Sequence, residues 1–518
     1  MDAKIKPKTL FNMSTNKLIN TLLDNWYYGH DQLSVNGEHI IEVFSQYFPS
    51  IILDKMHSKL LDMHVRRILA NNEGFSTKHE LPSATSLLSF SILPQLRVLN
   101  LNCLRYAGDP NEDEIQNLHY ILLSKIPLLY NLVELYLQTS NRDVTLPICG
   151  NEIIEKLGEF CPNLKIIDVS YNSIVTDKGL EYLIPSKYWQ GCPCLEKIFI
   201  FECSVTSIGV SKLLAGLPNI KLLGYKEICL SLQIISKNNF ETKLEHVNNL
   251  GTMSCTFKDF HKFQCTPKTV LMLKKMCPIL NTLKIRVIDE HVSNLKVLKT
   301  VSVLELVYNV EYPTSVGAGT EEYLRVHGVH LVSLSLLSAD FSTEYLKIIC
   351  RDCENLQRFW IKCYNYFHVD DFFQVSCALK NLKLFSLTVG CKYKQDNTCN
   401  VPCSALKYVL HGNVVLQNLV IAMKSAQLND EYICNLLSFV NVETLQYLSI
   451  STPDKNVTAA SLNITMNSVE RIVTECPNLL RLSNLLVWNV EFEDVKKFRK
   501  RLQSTNSALN LIYKIIIV

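Results

Sequence analysis

The most regular feature of the chain is a six-residue pattern, apolar-x-x-apolar-x-apolar, in which most of the apolar positions are leucine. Stretches between the copies, such as VSKLLAGL before Ile220 and SVERIVTE before Leu479, carry apolar residues at three- and four-residue spacing. The six-residue pattern predicts short strands, because side chains alternate between the two faces of a strand, and the longer spacing predicts helices. Thirteen copies begin at Leu96, Leu132, Leu164, Leu195, Ile220, Leu280, Val301, Leu331, Leu356, Leu382, Leu416, Leu445 and Leu482.

The copies recur roughly every 20 to 36 residues when LGTMSC at Leu250 is counted as a degenerate copy, which fits a leucine-rich repeat of one strand and one helix. We therefore predict an α/β fold, a leucine-rich-repeat solenoid in the form of a right-handed β/α horseshoe over residues 90–518, with a parallel sheet on its concave face. Residues 1–75 predict a separate all-helical module. The predicted core includes Leu99, Ile167, Ile198, Leu283, Leu334, Leu419 and Leu448.

Short motifs at the junctions resemble those of a known repeat family. Four stretches, Cys161–Leu164, Cys192–Leu195, Cys277–Leu280 and Cys476–Leu479, resemble the C-P-x-L junction of cysteine-containing leucine-rich repeats. Thr176-Asp177-Lys178-Gly179-Leu180 is similar to the T-D-x-G-L helix entry of the same family. We expect Thr176 or Asp177 to cap the helix that follows. The resemblance covers residues 90–505 and points to F-box and related ubiquitin-ligase receptors.

Composition gives no reason to expect a nucleic-acid or membrane ligand. The formal net charge is +3, from 52 basic and 49 acidic residues. The first residues lack the apolar run of a signal peptide, and we expect a soluble intracellular protein, in the cytoplasm or the nucleus. Most of the 19 cysteines are then expected to be reduced thiols. The final LNLIYKIIIV is too short to span a bilayer and predicts a closing strand.

Two short patterns in the helical module resemble the adaptor-binding boxes of cullin-RING substrate receptors. The first resembles the elongin-binding box, and the second resembles the cullin-contact box that follows it. Leu10, Ser14 and Leu18 would share one helical stripe suited to a partner's groove. Two alternatives remain open: the second stretch as the start of an F-box that binds a Skp-type adaptor, and the whole module as a plain cap of the first repeat. The matching residues are Thr9, Leu10, Ser14 and Leu18, then Phe48, Pro49, Ile52 and Met56.

Aromatic and cationic side chains at solvent-facing strand positions are the candidate partner-binding residues. Trp360 lies between Arg358 and Lys362 on one strand, and Phe199 and Phe201 flank Ile200 on another. Aromatic residues and arginine are enriched among binding hot spots, so we expect a protein partner there. The alternatives are that another segment covers these positions or that the register slips by one residue. The candidates are Tyr136, Phe199, Phe201, Arg358, Trp360 and Lys362.

Motifs for enzymatic chemistry are weak. There is no phosphate-binding G-x-x-x-x-G-K-S/T and no H-E-x-x-H, and Gly317-Ala318-Gly319 lacks the remaining glycine of a dinucleotide turn. Cys350-x-x-Cys353 has no second pair to complete four zinc ligands, so we predict a structural use. His327 and His330 are expected at the surface of a helix end. We predict no catalytic residues, no metal site and no cofactor.

These observations favour a non-enzymatic substrate-recognition subunit of a cullin-RING ubiquitin ligase that binds its target on the concave face. An elongin-type adaptor and a cullin would be its partners, with a Skp-type adaptor as the alternative. The second class of function is a repeat scaffold, or a solenoid similar to GTPase regulators, without any ligase attachment.

Overall fold

The protein is described here from a computed structural model. The described residues are 17, 50, 53–59, 61–62, 88, 92–102, 112–139, 148–225, 227–237, 250, 252–254, 266–308, 316–367, 379–390, 401–423, 428–453, 461–504 and 509–511. The chain forms two compact units, Met1–Asp259 and Phe260–Val518. The predicted boundary between a helical module and the repeats falls on residues 75–90, which are described only at Leu88, and stays a prediction.

The first unit alternates short strands with helices. Its described strands pair in parallel and in sequence order. The last of these strands, Thr252–Ser254, confirms the degenerate copy predicted at Leu250. The strands are β1 Val98–Asn100, β2 Glu134–Tyr136, β3 Ile166–Asp168, β4 Lys197–Phe199, β5 Leu222–Gly224 and β6 Thr252–Ser254. The helices are α1 Glu112–Lys125, α2 Asn151–Phe160, α3 Asp177–Leu183, α4 Ser207–Gly216 and α5 Ile228–Lys237, with a 3-10 turn at Ile126–Leu128.

The second unit repeats the same arrangement, again with parallel pairing in sequence order. Its strands are β7 Thr282–Val287, β8 Val303–Tyr308, β9 Ser333–Ser342, β10 Arg358–Phe367, β11 Leu384–Val389, β12 Asn418–Met423, β13 Tyr447–Ser451, β14 Arg481–Ser483 and β15 Asn510–Leu511. Its helices are α6 Pro267–Met276, α7 Asp289–Val292, α8 Ala318–His327, α9 Thr343–Asp352, α10 Cys403–Leu410, α11 Asp430–Leu437, α12 Met466–Glu475 and α13 Phe492–Ser504. The 3-10 helices are Ser293–Val297, Gly328–His330 and Leu485–Val487.

The core of each unit contains the aliphatic residues of the repeated pattern. All seven residues predicted for the core are at most 1 % exposed. The last copy is three residues out of place: β14 begins at Arg481, Leu479 is the first apolar position, and the residues after Asn484 turn into a 3-10 helix. The closing strand is confirmed over Asn510–Leu511, which pairs with β14.

The C-P-x-L junction is a tight turn that links two neighbouring repeats. In the Cys161 and Cys192 copies the leucine N–H donates to the cysteine carbonyl, at 3.2 and 3.1 Å. The thiol of Cys161 donates to the carbonyl of Leu129 at 3.4 Å, and the thiol of Cys192 donates to the carbonyl of Cys161 at 3.5 Å. A small apolar side chain that can donate one hydrogen bond therefore fits between the stacked turns.

An asparagine ladder, which the sequence analysis missed, runs beside these turns. The asparagine that precedes the first apolar position donates from Nδ2 to a turn carbonyl of the preceding repeat. Asn219 donates to Pro193 at 2.9 Å, Asn355 to Val329 at 2.9 Å and Asn478 to Glu443 at 2.7 Å. The signal was present in the sequence as an Asn before the first Leu or Ile of several copies.

At the T-D helix entry, side-chain hydrogen bonds link neighbouring repeats. Thr176 makes no side-chain cap of its own helix, which corrects that part of the expectation. Its N–H instead donates to Oδ1 of Asn151 in the preceding repeat, at 3.0 Å. Asp177 in turn accepts from the N–H of Thr206 at 2.7 Å and from its hydroxyl. The T-D motif therefore receives a cap from one neighbour and supplies a cap to the next.

Candidate protein-binding surface

Residues between the buried aliphatics point to the sheet face away from the core, which we call the open face of each unit. One row of this face in each unit contains candidate partner-binding residues, namely Tyr136 and Phe199 in the first unit and Trp360 in the second. In the first unit, strand pairing aligns Asn100, Tyr136, Asp168, Phe199, Gly224 and Ser254. In the second unit, it aligns Lys284, Glu305, Ser335, Trp360, Ser386, Val420, Ser449 and Ser483.

Phe199 and Phe201 form an aromatic pair on the open face of the first unit. Both side chains are half-buried, and their ring centroids lie 6.5 Å apart at an angle of 44°. An ideal Cβ on Gly224 would lie 2.6 Å from Cδ1 of Phe199 and 2.8 Å from Cε2 of Phe201. Since both rings lie against this glycine, any larger residue at position 224 would displace them.

Tyr136 lies two strands from Phe199 in the same row, with Asp168 between them. Its hydroxyl donates to Oε2 of Glu134 at 3.0 Å. Burial, together with the hydrogen bond to Glu134 and the nearby carboxylates, raises the pKa of Tyr136 to about 12. Tyr136 therefore presents a neutral phenol that is hydrogen-bonded to a carboxylate. It is not part of the aromatic pair formed by Phe199 and Phe201.

Arg358, Trp360 and Lys362 occupy alternate positions of β10 and therefore lie on its open face. Arg358 and Lys362 are exposed and Trp360 is half-buried. The guanidinium of Arg358 lies 6.0 Å from the centre of the Trp360 ring, within cation–π range. The lateral neighbours of Trp360 are Ser335 and Ser386, whose side chains are small.

The row that contains Trp360 is covered beyond β10, although its side chains alternate with the core residues in the same way. Ser386 and Val420 are each 5 % exposed, and Ser449 and Ser483 are fully buried. Ser449 accepts a hydrogen bond from Nδ2 of Asn484 at 2.7 Å. The alternation of the strand sets the direction of a side chain, but other parts of the chain decide whether that side chain reaches solvent. The accessible part of this row therefore extends from β7 to β10.

Most residues of the two adaptor boxes lie outside the described residues, namely Thr9, Leu10, Ser14, Leu18, Phe48, Pro49 and Ile52. Met56 is described, lies in helical residues 53–59 and is only 6 % exposed. A contact between the second box and a partner would therefore have to involve other members of the box.

The same helical segment closes the sheet edge of the first unit. In each of the next two repeats, the first residue of the strand and the residue before it donate their N–H groups to one backbone carbonyl of the preceding repeat. Glu134, for example, donates to Arg97 at 2.9 Å. At β1, Oδ1 of Asp54 accepts these bonds instead, from Arg97 at 2.8 Å and Val98 at 3.1 Å. Asp54 thus replaces the carbonyl of a missing strand, which supports a capping role for this segment.

The glycine-rich stretch at residues 317–319 has a structural explanation. Oδ1 of Asp289 accepts from Gly317 at 2.8 Å and from both the N–H and the hydroxyl of Thr320, at 3.2 and 2.6 Å. Oδ2 accepts from Gly319 at 2.9 Å. A Cβ at Gly317 would lie 2.6 Å from Oδ2, and one at Gly319 would collide with the carbonyl oxygen of Asp289. These glycines allow one repeat to cap the next.

Cys350 and Cys353 occupy different environments. The Cys350 thiol donates to the carbonyl of Tyr408 at 3.5 Å, whereas Cys353 is fully buried at the C-terminal cap of α9. Burial raises the pKa of Cys350 to about 12 and also raises that of Cys353. Both thiols are therefore protonated near neutral pH, which disfavours metal binding by this pair.

His327 is not a surface residue, contrary to expectation. It is 7 % exposed, and its Nε2 lies 2.6 Å from the carbonyl oxygen of Lys296. Burial lowers its pKa. The imidazole therefore links α8 to the 3-10 helix of the preceding repeat.

The described residues contain neither a metal-binding cluster nor a membrane-spanning helix. No three His, Cys, Asp or Glu side chains within them come together as a metal site. Likewise, none of the helices in the described ranges combines the length and the apolar character needed to cross a membrane.

Two solved structures are distantly similar to this chain. No protein-family model and no curated protein matches the chain. The yeast Rad7 and Elc1 complex matches at 14 % identity with a TM-score of 0.38, over 78 % of this chain and 94 % of that one. A leucine-rich-repeat protein of Leptospira interrogans matches at 16 % identity with a TM-score of 0.32, over 80 % and 95 %. Since both TM-scores are below 0.5, the fold described above rests on this chain's own strands and helices.

Proposed function

We propose that the protein is a non-enzymatic substrate-recognition subunit of a cullin-RING ubiquitin ligase, built as a right-handed leucine-rich-repeat solenoid. One observation carries the recognition role: aromatic and cationic side chains remain accessible on a regular sheet face while the intervening aliphatics are buried. A sheet of paired strands holds such side chains rigidly, so little conformational entropy is lost when a partner binds. The substrate would lie on the concave face, and the cytoplasm or the nucleus would be the compartment.

Ligase attachment is supported by the N-terminal motifs. The elongin-box resemblance precedes the cullin-box resemblance, which is the order found in such receptors. On a helix, Leu10, Ser14 and Leu18 would present one stripe to an adaptor's groove.

The test is affinity purification of the intact chain and of its Leu10→Ala and Pro49→Ala variants, followed by identification of co-purifying elongin, Skp and cullin subunits. Lys17→Ala, at an exposed helical residue in the same box, is the matched control. Loss of elongin with Leu10→Ala alone supports the proposal, since truncating a central apolar contact should weaken binding about thirtyfold. Skp lost only with Pro49→Ala supports the F-box alternative.

A free-standing repeat scaffold is the second candidate, and the capping contacts favour it. Asp54 accepts from the N–H groups of Arg97 and Val98 at the first strand, and Met56 is buried, which supports a cap without any adaptor. A well-folded intact chain that captures neither adaptor would remove the ligase assignment. A Trp360→Ala chain that keeps every partner of the intact chain would remove the proposed recognition role of its surface.

A further inference from the structure

The open face of the second unit carries an excess of basic side chains over β7–β10. Three open-face positions pair across all four strands β7–β10. At these twelve described positions, four side chains are cationic, namely Lys284, Arg286, Arg358 and Lys362, whereas Glu305 is the one carboxylate. Such an excess on a single face favours a partner of opposite charge, although the whole chain has a net charge of only +3.

The one carboxylate of this set is paired with Lys284, and two of the three remaining cations lie on β10. Oε1 of Glu305 lies 2.7 Å from Nζ of Lys284. Within the described part of the chain, no carboxylate forms an ion pair with Arg358 or Lys362, and both side chains are exposed. These two cations therefore remain available to groups from another molecule.

Trp360 lies midway between the two cations and provides an apolar contact. Ser335 and Ser386 beside it are small, so a partner side chain can approach the indole from the open face. Ser386 on β11, the next position in this row, is buried, so the accessible part of the row ends at Trp360. The arrangement along β10 is thus cation, aromatic ring, cation.

We propose that β10 binds an extended acidic segment of a partner protein with the pattern acidic-x-apolar-x-acidic. Residues two apart on a strand are separated by about 6.6 Å, so Arg358 and Lys362 are about 13 Å apart. An extended peptide has the same spacing, and its residues i, i+2 and i+4 share one face. A segment aligned with β10 places one carboxylate on each cation and an apolar side chain on Trp360. The proposal deepens the proposed recognition role and does not depend on ligase attachment.

Carboxylates fit this strip better than phosphates or nucleic acid. A phosphate site needs several donors that converge on one anion, whereas these two cations are separated by the indole. Nucleic acid would need a longer track of cations than one strand presents.

The experiment measures binding of a labelled nonapeptide to the purified full chain by fluorescence anisotropy. The peptide carries Glu at its third and seventh positions and Phe at its fifth. Comparison peptides carry Gln or phosphoserine in place of both Glu residues, and a single-stranded oligonucleotide is tested as a competitor. The variants are Arg358→Glu, Lys362→Glu and Trp360→Ala. The charge-matched control is Lys407→Glu, at an exposed position of helix α10. Thermal unfolding verifies that each variant is folded.

We expect saturable binding of the Glu peptide that weakens as salt is added. The Gln peptide and each charge reversal should reduce affinity at least about tenfold, and Trp360→Ala should reduce it about thirtyfold. Lys407→Glu should leave the affinity unchanged. No saturation at about millimolar peptide, equal binding of the Gln peptide, or an equal loss with Lys407→Glu would overturn the proposal.

Two further outcomes would reassign the strip. Tighter binding of the phosphoserine peptide would indicate a phosphate site, and displacement by the oligonucleotide would indicate nucleic acid. Either result overturns the acidic-segment proposal. Because the assay contains no adaptor, its failure is distinct from a failure to capture elongin or Skp through Leu10 and Pro49.

Discussion

Removing the Asp289 carboxylate should loosen the start of helix α8, which lies in the next repeat. The substitution Asp289→Ala removes the acceptor for the N–H groups of Gly317, Gly319 and Thr320 and for the Thr320 hydroxyl. The donors remain part-buried, and Gly319 is in close contact with the backbone of Asp289, so water has little room to replace the carboxylate.

The size of the effect follows from these contacts. Replacing an N-cap acceptor by alanine costs about 0.5 to 2 kcal/mol, and hydrogen bonds to a charged group contribute about 1.5 to 3 kcal/mol. Asp289 serves several donors at once, so we expect a local loss of about 2 kcal/mol or more. That free energy corresponds to about a thirtyfold increase in the population of the locally opened state.

Hydrogen–deuterium exchange of a peptide covering residues 316–327 measures this opening directly. Asp289→Ala should accelerate its exchange about thirtyfold, while Asp289→Asn, which keeps one acceptor oxygen, should give an intermediate rate. Glu290→Ala, at the exposed carboxylate next in sequence, is the matched control and should have little effect. If Asp289→Ala and Glu290→Ala exchange at the same rate, capping between repeats does not stabilise α8.

The remaining predictions concern the core, acid stability and the thiols. Leu334→Ala should cost roughly 2 to 5 kcal/mol in urea unfolding, because its site is fully buried; a loss well below that range would contradict the packing. Partial burial raises the pKa of Asp430, but hydrogen bonds from Ser468 and Thr465 outweigh it and hold the pKa below its ordinary value. Its stabilisation is therefore present above the unfolded pKa of about 3.9 and lost as pH falls through the lower folded value. Asp430→Asn should accordingly flatten the acid limb of stability, and an unchanged limb would contradict this. Burial raises the pKa of Cys161 to about 12, so mass spectrometry should find it unlinked and alkylated only after unfolding, and a disulfide there would refute it.

Strand positions could be predicted because the repeat determines them many times over. Each copy places aliphatics at the same spacing. Leu99 and Leu334 are therefore both fully buried at equivalent strand positions, although they belong to different units. An error in one copy has only local consequences. At the last copy, taking Leu482 instead of Leu479 as the first apolar position misplaced one predicted strand by three residues. The other predicted strands were unaffected.

Contacts between neighbouring repeats were harder to predict, because they join residues about one repeat apart. Asp289 caps helix α8, whose N-cap residue Gly317 lies 28 positions later, and no local pattern links the two. Thr176 was expected to cap its own helix because local rules favour threonine there. The Asn151 side chain of the preceding repeat binds its N–H instead.

Accessibility on the open face was the least predictable property, and it determines where a partner can bind. Ser335 and Ser449 are the same residue type at equivalent strand positions, yet Ser335 is half-buried and Ser449 is fully buried, where Asn484 donates to its hydroxyl. Periodicity sets only the direction of a side chain, which is the same for both. A recognition surface in such a protein is therefore defined by where its row becomes covered as much as by its aromatic residues. In the second unit that change falls immediately after Trp360, so its ring is the last accessible member of the row and lies between two exposed cations on its own strand.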